Sequence, residues 1–254
     1  MSLVRNISLQ KTRKEIETIE SFNYQWKNIP NAKYLLSDEE WRRNVAGYIL
    51  DELQLTQNWI KGKTVIDVGC GGGRWSYGFA ELGCKVTSTD ISDGPCEFTK
   101  EKVPQSEVIQ NDLFELPNRL KDRKFDIVWC WGVIHHTHNP EAALNALVKL
   151  MHKDSILHLY VYSADRGNKI RILRKLMGMF SLKNRERLIS VLIKVGLIHG
   201  SVHGWFDALS PKINHEISEI TLRKWFAAND LEYRHYIPQW VKSSKDIFVT
   251  GRFQ

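Results

Sequence analysis

The sequence predicts an α/β fold built on a mostly parallel sheet, and three observations carry that expectation. Residues 65–73 read Val-Ile-Asp-Val-Gly-Cys-Gly-Gly-Gly, an apolar run that passes straight into a glycine-rich turn. A helical pattern follows at once, with Trp75, Phe79 and Leu82 spaced i, i+4 and i+7 and Gly83 as its stop. Further apolar runs then alternate with helical patterns up to about residue 163. Strand, glycine turn and helix in this order form a ligand site at the end of a strand.

Ahead of the first strand, the run from Ser37 to Trp41 reads as a capped helix start. Trp41, Val45, Tyr48, Ile49 and Leu53 continue it at helical spacing. The aromatic cluster from Phe22 to Trp26 falls outside any clear periodic element. Gly62-Lys63-Thr64 reads as a turn into the first strand.

Two nucleotide motifs fail on register. The dinucleotide fingerprint G-x-G-x-x-G needs a third glycine where Arg74 or Ser76 stands. The P-loop needs a glycine where Gln57 stands, and Gly62-Lys63-Thr64 precedes the strand instead of following it. What remains is Asp67-x-Gly69-x-Gly71-x-Gly73, which lets a ligand approach the backbone closely at a helix N-terminus.

The second strand, residues 86–91, ends in Asp90 and Ile91. Asp90 either accepts a pair of ribose hydroxyls or caps the next turn with Ser92 and Asp93. The third, residues 108–113, closes on Asp112 and Leu113, and Asp also starts many turns. The fourth, residues 125–131, reads as a buried central strand ending in Trp131. After it come His135 and His136, then Asn139 as N-cap and Pro140 at the first helical position. Ala143, Leu144, Leu147 and Leu150 share one face of that helix.

These four motifs, in this order over residues 63–163, resemble the class I S-adenosylmethionine (SAM)-dependent methyltransferases of the small-molecule type with a His-His pair after strand four. The resemblance implies a Rossmann-like fold with a seven-stranded, mostly parallel sheet and an antiparallel closing hairpin. It implies SAM as methyl donor and S-adenosylhomocysteine (SAH) as product. It places the methionine portion on Asp67, Gly69, Gly71 and Gly73, the ribose on Asp90 and Ile91, the adenine on Asp112 and Leu113, and Trp131 at the strand-four edge. It also implies that the leading segment covers the donor. The sequence departs from the Asp/Asn-Pro-Pro-Tyr/Phe pattern of the family's adenine- and glutamine-directed members, since Gly132-Val133-Ile134-His135 stands there. That favours an oxygen, carbon or simple amine acceptor.

The fifth strand is residues 156–162, after which the alternation stops. Ile170, Leu173, Met177 and Phe180 mark one helix, and Leu188, Val191, Leu192 and Val195 another. A helical pair inserted here is expected to lie over the ligand edge of the sheet as a lid. Leu222, Trp225 and Phe226 mark a last helix, and residues 231–237 and 246–253 the closing strands. The chain is thus expected to be one methyltransferase domain: a helical cap (1–60), an α/β core (61–163), a helical lid (164–217), and a closing helix with hairpin (218–254).

The 254 residues suffice for one sizeable core, and no apolar run approaches the roughly 18 residues of a membrane span. The opening residues, Met1 to Asn6, lack the apolar core of a signal peptide, so the expected location is the cytoplasm. Cys70, Cys84, Cys96 and Cys130 show no Cys-x-x-Cys spacing and are expected as reduced thiols. Between Asp165 and Lys194 lie nine basic residues and two acidic ones, a surplus equal to the whole chain's +7. Such a segment is either a solvated face or the mark of an anionic partner: a charged substrate, nucleic acid or a membrane surface.

Methyl transfer from a sulfonium needs in-line alignment and, for some acceptors, a base. Metal is not required, and the histidine spacing matches no recognised ligand set. His135 and His136 are therefore candidate bases or orienting groups; otherwise one packs under the adenosine and the other caps a turn. Tyr24, Trp26, Tyr162, His203, Trp205 and His215 are candidate acceptor-pocket walls, with Glu216 beside His215 to fix its tautomer. The leading expectation is a methyltransferase acting on a small molecule, an anionic one if the basic segment serves it. An RNA-modifying methyltransferase and a non-catalytic SAM-binding partner protein are the alternatives.

Overall fold

A computed structural model describes residues 11–29, 38–166, 168–241 and 244–254. The opening residues and Ser37 lie outside them. The helices are α1 (Arg13–Asn28), α2 (Glu39–Leu53), α3 (Gln57–Ile60), α4 (Arg74–Glu81), α5 (Asp93–Lys102), α6 (Leu116–Leu120), α7 (Pro140–Val148), α8 (Asn168–Met177), α9 (Leu182–Lys194), α10 (Val202–Leu209) and α11 (Glu219–Ala228). The strands are β1 (Thr64–Val68), β2 (Lys85–Asp90), β3 (Glu107–Gln110), β4 (Phe125–Trp131), β5 (Met151–Val161), β6 (Arg234–His235) and β7 (Ile247–Gly251). They form one sheet of order β3-β2-β1-β4-β5-β7-β6. β1 to β5 pair in parallel, and β7 runs antiparallel to both β5 and β6. The order reverses between β1 and β4, which opens a crevice at their C-terminal ends.

Both faces of the sheet are covered, which is why the central strands read as near-continuous apolar runs. On one face, Val128, Cys130, Leu157 and Leu159 pack with Leu144 and Leu147 of α7 and Phe226 of α11. On the other, Val45 and Ile49 of α2 and Trp75 and Phe79 of α4 pack on Ile127 and Trp129. Within that layer Glu52 and His158 form a buried pair, 2.7 Å apart. Asp38 caps α2 through the Trp41 N–H. Asn139 caps α7 through the Ala142 N–H, with Pro140 inside the first turn. All four cysteines are free thiols.

Three boundaries differ from the expectation. Residues 22–26 belong to α1, whose buried face is Thr18, Ser21 and Gln25. β5 begins at Met151, because His152, Lys153 and Asp154 hide its first turn of alternation. The closing hairpin is shorter than expected: β6 holds only two residues, and Leu231 contributes an isolated bridge to Phe253.

Candidate active site

The crevice is a cavity of about 990 Å³. Its floor is the glycine turn after β1. Gly69, Gly71 and Gly73 have φ of 76°, 52° and 74°, a region in which side chains are strained. A Cβ on Gly71 would lie 2.4 Å from the Trp26 ring, so α1 sets an indole directly on the turn. Trp26, Gly69 and Gly71 all line the cavity.

At the end of β2, the two oxygens of Asp90 accept the Gly71 N–H at 3.1 Å and the Ser92 N–H at 2.9 Å. Each oxygen keeps acceptor capacity toward the cavity. Burial pushes this carboxyl up to about 6, against the pull of those N–H groups. Ile91, Asp112 and Leu113 continue the wall. Asp112 accepts the Phe114 N–H at 3.0 Å and forms an ion pair with Lys11.

The opposite wall is aromatic and charged. Trp131 stacks on Tyr160 at 4.0 Å. The Arg74 guanidinium lies 4.4 Å from the Trp131 ring centre and 4.8 Å from that of Trp75. No carboxylate lies in ion-pair contact with it among the described residues. His136 sits 3.0 Å from the Ile213 carbonyl through Nδ1. A carbonyl only accepts, so neutral His136 carries its proton there and leaves Nε2 as an acceptor. That Nε2 is buried, lies 3.9 Å from an Asp207 oxygen, and has no hydrogen-bond partner. The Tyr162 hydroxyl donates to Asp207. Burial alone would raise the Asp207 carboxyl, but His136, Tyr162 and His203 outweigh it and hold it below its ordinary value. His203 meets Gln25 at 3.0 Å, and burial pushes its imidazole down to about 4, so it is neutral at pH 7.

Residues 66–159 match the family model described as "Methyltransferase domain". A ubiquinone biosynthesis O-methyltransferase of Pasteurella multocida is 29% identical over 112 residues, 39% of this chain and 46% of that one. The match thus spans about half the length of that relative. Its namesake from Rickettsia bellii is 24% identical over 241 residues, 93% of this chain and 92% of that one. The magnesium protoporphyrin IX methyltransferase of Synechocystis, solved with SAH, superposes with a TM-score of 0.63 at 17% identity, covering 95% of this chain and 100% of that one.

Residues 66–159 form a methyltransferase domain, and the fold is that of the class I SAM-dependent methyltransferases.

Not every residue expected at the site reaches the cavity. Asp67 is buried beneath the turn, where it accepts the Ser76 hydroxyl at 2.6 Å, and burial raises its carboxyl to about 6. Gly73 makes room for Thr99, whose hydroxyl would lie 2.8 Å from a Cβ there. These two shape the turn. His135 is fully buried and stacks on Tyr162 at 4.0 Å, turned away from the cavity wall that His136 forms. Tyr24 stacks on Phe206 at 5.6 Å and donates to Glu186. Trp205 donates its indole N–H to the His199 carbonyl. His215 is exposed; its backbone N–H donates to the His135 carbonyl, and Glu216 pairs with Arg171 instead of holding the ring. Trp26, Tyr162 and His203 do line the cavity.

Sequence reasoning missed Arg74 and Asp207. Arg74 follows the glycine turn directly, so its place at the helix start was a usable signal. Asp207 lies in α10, a helix too short and too glycine-interrupted to register as periodic. Among the described residues, no group of three or more His, Cys, Asp or Glu side chains is placed to hold a metal ion.

Proposed function

We propose that this methyltransferase moves the methyl group of SAM to a hydroxyl oxygen of a small acceptor, with His136 as general base. The observation that carries the reading is His136 on the cavity wall, its buried Nε2 without a hydrogen-bond partner and 3.9 Å from an Asp207 oxygen. Gly69 and Gly71 would receive the methionine portion of SAM, Asp90 and Ile91 the ribose, and Asp112 with Leu113 the adenine. The fit rests on the open φ of the two glycines and on the unused acceptor capacity of Asp90. SAM supplies a methyl group on a positively charged sulfur, already activated to leave.

The acceptor oxygen forms the new bond to the methyl carbon as the carbon–sulfur bond breaks, and the electron pair stays on sulfur to give SAH. His136 Nε2 takes the hydroxyl proton. The resulting imidazolium donates through Nδ1 to the Ile213 carbonyl and faces the Asp207 carboxylate, which stabilises its charge. Tyr162 holds Asp207 in place. Arg74 offers a carboxylate-bearing ligand the cation it would need. The relatives from Pasteurella multocida and Rickettsia bellii, O-methyltransferases of ubiquinone biosynthesis, favour an oxygen acceptor here too. Ser201 and α10 would form the acceptor-side wall, since α10 brings Asp207 and His203 to the cavity.

The test is SAH release from SAM across a panel of hydroxylated aromatic acids and neutral phenols. Turnover with at least one hydroxyl acceptor, and its loss in His136→Gln, is the expected result. Turnover only with amines, or unchanged turnover in His136→Gln, contradicts the reading.

A further inference from the structure

We infer that the helical pair α8 and α9 is a docking surface for an anionic lipid bilayer. This goes beyond the proposed chemistry and does not depend on it. Ile172, Leu176 and Phe180 recur at i, i+4 and i+8 along α8 and the turn that ends it, and are 42–61% exposed. On α9, Val191 and Val195 are 54% and 60% exposed, one helical turn apart. The two stripes meet, because Phe180 and Val191 line one shallow groove with Asn184, Arg187 and Leu188. A contiguous exposed apolar surface of this extent marks an interaction site on a folded protein.

The cations of the segment divide into two sets. Arg171 and Arg174 pair with Glu216, and Arg185 is buried, donating to the Phe180 and Ser210 carbonyls. Those three serve the fold. Lys175, Lys183, Arg187 and Lys194 are exposed and form no ion pair among the described residues. Glu186, the one acid of α9, is taken by Tyr24.

An apolar stripe bordered by unpaired cations selects its occupant by charge. Apolar side chains enter the headgroup boundary while Lys and Arg stems reach back to anionic headgroups. RNA would answer the cations and leave Ile172, Leu176 and Val191 in water. α10, which walls the cavity with His203 and Asp207, packs on both helices, so the surface is fixed to the site.

The experiment is flotation of the full chain with vesicles of phosphatidylcholine alone and of phosphatidylcholine mixed with phosphatidylglycerol, at low and high salt. Binding to the anionic vesicles at low salt, weakened by salt and by removing the anionic lipid, is expected; each surface cation contributes roughly fivefold. Leu176→Asp with Val191→Asp should lower partitioning by about tenfold or more, with the circular dichroism spectrum and melting temperature unchanged. Lys183→Glu with Arg187→Glu should do the same without touching the apolar stripe. Four results would overturn the proposal: no flotation with anionic vesicles at low salt; flotation of both double variants like the parent; a dimer in sedimentation that Val191→Asp dissociates, which makes the occupant a second copy; or salt-sensitive RNA retention without flotation.

Discussion

Asp90 should make ligand affinity depend on pH in one direction and over one window. Its carboxyl is pushed up to about 6 by burial at the cavity wall. Ribose hydroxyls donate, so they bind the ionised form and not the protonated one, whose own O–H competes. Binding therefore drives a proton off, and affinity falls as pH drops through about 6. At pH 5 roughly one site in eleven is ionised, which weakens the apparent Kd for SAH about tenfold relative to a plateau above pH 7. Asp90→Asn removes the titration and the charge together. A hydrogen bond to a charged group contributes about 1.5–3 kcal/mol, and one of the two hydroxyls loses its acceptor. The variant should thus bind SAH about 10- to 150-fold more weakly at pH 7.5, with a flat profile between pH 5 and 8. Isothermal titration across that range, with the melting temperature followed in parallel, reads both effects. A flat profile for the parent chain, or an Asn variant within threefold of it at pH 7.5, would refute the assignment.

Three further outcomes follow from the same geometry. His136→Gln and Asp207→Asn should each lower kcat, by about 10²- to 10⁴-fold for the base and less for its carboxylate partner, while calorimetric SAH affinity stays within threefold. Arg74→Met should raise Kd for SAH if its partner is the donor's carboxylate, or raise KM for an acidic acceptor alone if it is the acceptor's; steady-state kinetics with a neutral analogue separates the two, and no change in either removes Arg74 from recognition. Gly71→Ala must accommodate a side chain at a φ of 52° with a Cβ only 2.4 Å from Trp26; the left-handed conformation alone costs about 1–2 kcal/mol, so thermal stability and SAH binding should both fall, and Gly47→Ala, with nothing within 4 Å of its Cβ, should leave both intact.

How much of this was legible depended on which face each element buries. β4 appeared at Phe125 to Trp131 because both its faces are covered, and α7 because Asn139 and Pro140 announce its start. α1 was silent for the opposite reason. Its buried residues are Thr18, Ser21 and Gln25, so the helical period is carried by polar side chains that pattern reading discounts. The aromatic residues of the same helix scatter to separate partners: Phe22 to His136, Tyr24 to Phe206 and Trp26 to His203. The proposed donor side follows the ends of β1, β2 and β3, which are neighbours in the sheet as they are in the chain. The acceptor side does not. Asp207 and His136 are brought together by the insertion of α8 to α10, and Gln25 meets His203 across 178 residues of chain. Which of two adjacent histidines faces the cavity is decided by a 3₁₀ turn at Ile134–His136, and no spacing rule distinguishes them.

The central claim is that the crevice binds SAM and that a side chain of this chain accepts the proton released on transfer. Calorimetric titration of the parent chain with SAH, with NAD and ATP as competitors, tests its foundation most directly. Micromolar or tighter binding of SAH at one site, undisturbed by either competitor, is the predicted result. No heat of binding for SAH or SAM at pH 7.5, or displacement of SAH by NAD, would contradict the account.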